Sequence, residues 1–150
     1  MAILSFDGRV NIAVRIVTEK YPHAKLYEAD GKASAPTTDP AKIDQLRVVF
    51  QNSGNSTVII TETSYGEFGA PVEIPHPWAE DVVIAWPVKM DLAKANELKE
   101  AAGFKNPYNN VTLRNPLGPV RSNPLFIFGT APPNPYVFVD TVTGKVTQGS

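Results

Sequence analysis

No cysteine occurs in the 150 residues. Disulfide staples and thiolate metal sites are therefore excluded, and the redox compartment stays undetermined. An imbalance of charge is also missing: 14 Lys and Arg stand against 15 Asp and Glu. No long-range field is available to gather phosphates or anionic lipid, so nucleic acid is disfavoured as a partner. No apolar run approaches the length of about 18 residues that a membrane span needs. The apolar start Met1–Leu4 meets Asp7, Gly8 and Arg9 too soon for a signal-peptide core. The expectation is a cytoplasmic protein, or one secreted after removal of a leader outside this chain. Two Asn-x-Ser/Thr triplets, at Asn55 and Asn110, then read as chance matches.

Chemistry-bearing motifs are equally scarce. There is no Gly-x-Gly-x-x-Gly, no Walker motif and no nucleophile elbow, and Ser64 has no glycine before it. The two histidines, His23 and His76, are too few for a metal site without a carboxylate brought in by the fold. Glu62, Glu67, Glu73, Glu80 and Asp81 crowd one stretch of sequence, which reads as an acidic surface. Spacing alone cannot set two of them at the separation that glycoside hydrolysis demands. No catalytic residue, cofactor or metal is assigned.

What is present is an element order that occurs twice. A helix-like stretch precedes Ala24–Glu28, Arg47–Phe50 and Thr57–Ile60; another precedes Asn110–Arg114, Leu125–Phe128 and Tyr136–Val139. Aligning Tyr27 with Leu113, Phe50 with Phe128 and Ile60 with Val139 gives nearly constant offsets, the mark of a duplicated supersecondary unit. Residues 7–21 fit two periods. Val10, Ala13, Val14, Val17 and Tyr21 are spaced as a helix, whereas Val10, Ile12, Val14 and Ile16 alternate as a strand. Length and Val17 favour a helix that stops before Pro22. Leu92–Ala102 reads as a helix capped by Asp91 and stopped by Gly103, with Leu92, Ala95, Leu98 and Ala102 on its apolar face and Lys94, Glu97 and Lys99 off it.

A short strand is expected at Ala24–Ala29 and a loop at Gly31–Ala41. Gln45–Asn52 and Thr57–Thr63, joined by Ser53-Gly54-Asn55-Ser56, form a hairpin. Three β segments end the chain, separated by loops rich in proline around Pro116, Pro119 and Pro124 and at Pro132–Pro135. The expected fold is α+β: two α-β-β-β repeats forming an antiparallel sheet with the helices packed on one face and the other face partly open. The first repeat covers 1–63 and the second 91–150. Between them, 64–90 is an ordered connection that holds both tryptophans and Pro71, Pro75, Pro77 and Pro87, with a possible short strand at Asp81–Ala85.

The segment Tyr136-Val137-Phe138-Val139-Asp140-Thr141-Val142-Thr143-Gly144-Lys145-Val146 resembles the closing strand and turn of PepSY-type domains. The first helix followed by Ala24-Lys25-Leu26 resembles the opening of the same unit. Tandem units of this kind resemble the β-lactamase-inhibitor-protein architecture, in which a concave sheet grips a partner. The resemblance covers about a third of the chain. It implies a non-enzymatic binding or inhibitory module and carries no site residues with it.

The aromatic connection supplies the candidates for recognition, because Trp and Tyr are enriched in binding hot spots. They are Tyr65, Phe68, His76, Trp78 and Trp86, with Tyr108 in a second polar–aromatic loop, Asn106–Asn110. The same aromatics also suit anchoring of the connection to the core. The leading expectation is a non-catalytic protein that binds another protein. A small carbohydrate-binding protein is the alternative, and an enzyme of unrecognised type the third.

Overall fold

The computed structural model describes residues 4–78, 81–116, 123–129 and 136–149. Glu80, Pro119 and the Pro132–Pro135 run lie outside them. The described residues are mixed α and β, with two α-helices on a nine-stranded antiparallel sheet.

Helix α1 spans Phe6–Lys20. The Ser5 hydroxyl caps it by accepting from the Gly8 N–H at 2.9 Å, and Asp7 lies in the first turn, where the helix dipole favours an acid. Phe6, Arg9, Val10, Ala13 and Val17 are buried, so the 3.6-residue period prevails over the alternating one in this stretch. Helix α2 spans Leu92–Ala101. Asp91 caps it, accepting from the Ala93 N–H at 3.3 Å, and Gly103 follows at φ +96°, a conformation only glycine adopts cheaply.

The buried face of α2 differs from the expected one. Leu92 and Ala95 are inside, but the face continues through Asn96 and Lys99, while Ala102 is exposed. Lys99 is accommodated because its ammonium donates to the Phe104 carbonyl at 2.6 Å and lies over the Tyr108 and Phe128 rings. Burial lowers its pKa.

The strands are β1 (Lys25–Thr37), β2 (Gln45–Asn52), β3 (Ser56–Ser64), β4 (Glu67–Phe68), β5 (Val72–Ile74), β6 (Tyr108–Arg114), β7 (Leu125–Gly129), β8 (Tyr136–Asp140) and β9 (Val146–Gly149). Their order is β4-β3-β2-β1-β6-β7-β8-β9, with β5 also pairing with β3. The β2–β3 hairpin turns through Gly54 (φ +77°) and Asn55 (φ +60°), the residue types that two successive positive φ angles require.

Two expectations change. The loop at Gly31–Ala41 is strand as far as Thr37, because β2 and β6 supply partners on both sides of Asp30–Lys32. Pro36 falls where the β1–β6 ladder is interrupted, between Lys32 and Thr37, so its missing N–H is not required. The Asp81–Ala85 strand shrinks to one bridge, Asp81 with Pro116.

Side chains alternate across the sheet in rows. One row runs Ile60, Val48, Ala29, Leu113, Phe126, Val139, and the next Leu46, Gly31, Val111, Phe128, Val137. Both rows face the helices and are buried. Gly31 is required there, since a Cβ would collide with Ile43 and crowd Phe6. Phe6 of α1 meets Phe126 edge to face at 5.7 Å. No helix among the described residues is long and apolar enough to cross a membrane.

Candidate binding site

The opposite face of the same strands carries a different pair of rows. One runs Thr61, Arg47, Asp30, Thr112, Ile127, Phe138, Thr147, and the other Ile59, Val49, Glu28, Arg114, Leu125, Asp140. The register shift between Leu26 and Glu28 creates this arrangement. The bulge puts Leu26 and Ala29 on the core face and turns Glu28 outward beside Asp30.

Charged residues converge at the centre of this face. Arg47 donates from Nη2 and Nε to Asp30 Oδ2 at 2.6 and 3.2 Å, and its Nη2 lies 3.8 Å from Glu28 Oε2. Arg114 Nε donates to Asp81 Oδ1 at 2.6 Å and lies 3.9 Å from Glu28 Oε1. Glu28 thus sits between two guanidinium groups and two other carboxylates. Burial, hydrogen bonding with Asp81 and Asp30, and the charges of both push its pKa up to about 10.

Asp81 reaches the cluster from the connection. That segment leaves β5 and crosses the end of the face: the Thr57 hydroxyl donates to the His76 carbonyl at 2.6 Å, and the Trp78 N–H donates to Gln51 Oε1 at 3.0 Å. The Trp78 indole donates to Asp81 Oδ2 at 2.8 Å, and its ring lies 5.8 Å from the Arg47 guanidinium carbon. A strap that touches both Gln51 and Arg47 must pass over Val49, which lies between them on β2 and is buried. The Val82 and Ile84 N–H groups then donate to Asn115 and Leu26 carbonyls at 2.8 Å, and Ile84 enters the core.

Beyond the strap the face is hollowed. A groove of about 460 Å³ is lined by Asp30, Lys32, Gln45, Arg47, Asn110 and Thr112. A second, of about 360 Å³, shares Asp30 and Thr112 and continues to Arg114, Ile127, Tyr136 and Phe138. Tyr136 and Phe138 take their positions from glycines, since a Cβ at Gly129 or Gly149 would strike their rings.

The residues singled out from sequence are dispersed. His76 is exposed near the strap, and Trp78 is half-buried within it. Tyr65 is exposed, but its hydroxyl donates to the Leu4 carbonyl and the Arg9 guanidinium lies over its ring at 4.7 Å. Phe68 and Trp86 are half-buried against the core, and the Trp86 indole donates to Asn11 of α1 at 3.1 Å. Tyr108 is only 2% exposed, which corrects its placement in a recognition loop. Tyr108 opens β6, packs edge to face on Phe128 at 4.9 Å and donates its hydroxyl to Asn96 at 2.9 Å. The run of carboxylates also divides: Glu62 pairs with Arg9, Glu73 accepts from Ser56, and among the described residues of the run only Asp81 joins the central cluster.

Sequence reasoning missed Glu28, Asp30, Arg47, Thr112 and Arg114 as a group. The available signal was the Glu28–Asp30 alternation on one strand, but their arginine partners come from two others, and only register unites them. No protein-family model matches the chain, and neither a curated protein nor a solved structure matches it.

Proposed function

We propose that this chain is a non-catalytic binding or inhibitory protein that recognises a protein partner through the uncovered sheet face and the strap at its edge. The observation that carries the reading is the row Arg47–Asp30–Thr112–Ile127–Phe138. Within one line it joins a paired charged centre to an apolar and aromatic flank on a face the helices leave bare. Surfaces that set arginine beside aromatic and apolar side chains suit protein recognition.

The reading includes a duplicated architecture. Residues α1-β1-β2-β3 form one unit and α2-β6-β7-β8 the other, joined edge to edge by the antiparallel β1–β6 pair. The order β3-β2-β1-β6-β7-β8, symmetric about that junction, supports it. The resemblance of the β8–turn–β9 segment to PepSY-type units favours an inhibitory role over an enzymatic one.

A photo-reactive benzoyl-phenylalanine placed at Thr112 in the source cell, with Lys94 on α2 as control, tests the reading. A discrete adduct is expected from Thr112 and not from Lys94. Tyr136→Ala should then weaken binding of the purified adduct partner by about 1–4 kcal/mol. Equal crosslinking from both positions would overturn the reading.

A further inference from the structure

Resting on that reading of the open face as the binding surface, we propose that its trough holds a neutral oligosaccharide, with hydroxyls on the polar half around Gln45 and Thr112 and one sugar ring against Tyr136. The sugar is either free or carried as a glycan on the partner protein.

The charges at the centre of the face satisfy one another. Arg47 is held by Asp30 and Arg114 by Asp81, and both arginines lie beside Glu28. Glu62 also borders the first groove, but it is paired with Arg9 and its side chain is 0% exposed. A charged ligand would have to displace a member of these pairs and strand the other. Lys32 stands exposed at the rim, where its charge is solvated. A hydroxyl both donates and accepts, so it joins a carboxylate–guanidinium pair without breaking it.

The groups left over are neutral. Gln45, Thr61 and Thr112 line the first groove, and among the described residues their side chains make no hydrogen bond. The Asn110 amide donates to Asn109, leaving its own carbonyl oxygen to accept. Side-chain amides and hydroxyls present donors and acceptors close together. Neighbouring hydroxyls on a sugar ring match that mixture, whereas a charged side chain offers donors alone or acceptors alone.

The second groove supplies a flat apolar surface. Tyr136 is 47% exposed, and its ring leans from β8 across Gly129 of β7, toward the middle of the sheet. Ile127 and Phe138 extend that wall. A pyranose carries an apolar C–H face, which packs on an aromatic ring, and a polar rim of hydroxyls. The two grooves share Asp30 and Thr112, so the polar and aromatic halves are continuous. Gln45 on β2 and Tyr136 on β8 are four strand spacings apart in the sheet order. At about 4.8 Å per spacing that is roughly 19 Å, the length of about four linked sugar rings.

Maltotetraose, cellotetraose and tetra-N-acetylchitotetraose, titrated into the full chain at pH 7 and followed by amide NMR, test this. At least one is expected to shift the Gln45, Thr112, Ile127 and Tyr136 amides with a Kd of about 1 mM or tighter, and to bind at least about fivefold tighter than the disaccharide of its series. Tyr136→Ala should weaken it about tenfold, and Thr112→Val, which keeps the side-chain shape, about threefold. Lys94→Gln on α2 should leave it unchanged. No shift of these amides by any of the three up to about 10 mM, shifts confined to another surface, or equal binding of disaccharide and tetrasaccharide would each overturn the inference. Enzymatic removal of glycans before irradiation of the Thr112 crosslinker separates the sources: loss of the adduct marks a glycan on the partner, and its persistence marks a free sugar. Adducts without saccharide binding leave the partner face and remove its sugar chemistry; saccharide binding without adducts leaves the site and removes the protein partner.

Discussion

Arg9 of α1 and Glu62 of β3 form an ion pair inside the molecule, linking the helix to the sheet. Arg9 Nε donates to Glu62 Oε2 at 2.9 Å, Nη2 donates to Oε1, and Nη1 donates to the Ile43 carbonyl at 2.6 Å. Glu62 also accepts from the Gly66 N–H at 2.7 Å, fixing the β3–β4 turn. Removing one partner leaves a buried charge alone. Arg9→Met or Glu62→Leu should each cost about 3–5 kcal/mol, and the double substitution should recover much of that loss. Urea unfolding of the two single variants and the double variant measures the coupling.

A pair of acids has the opposite effect. Asp7 and Asp91 meet at the N-termini of the two helices, where the Asp7 N–H donates to Asp91 Oδ1 at 3.2 Å. Among the described residues Asp7 Oδ1 is buried without a hydrogen-bond partner. Burial, the Asp91 charge and a hydrogen bond with Asp91 raise the Asp7 pKa from 3.8 to about 8. The folded chain therefore holds a proton that the unfolded chain releases, so this group's contribution to stability falls as pH rises from about 4 to about 8. The limiting slope is about 1.4 kcal/mol per pH unit. Asp7→Asn should flatten the curve over that window and be more stable than the parent at pH 8. Urea midpoints at pH 5 and pH 8 check it, and a parent-like slope in the variant would count against it.

Phe50 and Phe128 both face the helices and are buried. Phe→Ala at either should cost roughly 3–5 kcal/mol, because the sheet backbone cannot collapse into the space left behind. Midpoints near wild type in both variants would contradict that packing.

The strap should behave as structure at one residue and as surface at another. Trp78→Ala removes the indole bond to Asp81 and the cover over Arg47 and should lower stability by about 1–3 kcal/mol. His76→Ala, at an exposed position that contributes backbone groups, its carbonyl accepting from Thr57 and its N–H donating to the Ile74 carbonyl, should change it by less than about 0.5 kcal/mol. Comparison of the two melting temperatures decides whether the strap is anchored as described.

Much of the architecture was legible because it is local. Asp91 and Gly103 bound α2 through their own cap chemistry, and Gly54-Asn55 dictates the β2–β3 turn by the φ angles those residues accept. Other features depended on neighbours distant in sequence. Ser34–Thr37 is polar and reads as loop, yet is strand because β6 resumes pairing at Tyr108; Lys99 reads as surface, yet is buried because Phe104, Tyr108 and Phe128 close around it. The candidate site belongs wholly to this second class. The sequence by itself determined that Glu28 and Asp30 could share a face of one strand, since side chains repeat every two residues. Only the tertiary structure decided that they do so beside Arg47, Arg114 and Asp81, because a single bulge after Leu26 sets which face each residue occupies, and a shift of one position would have turned the cluster into the core.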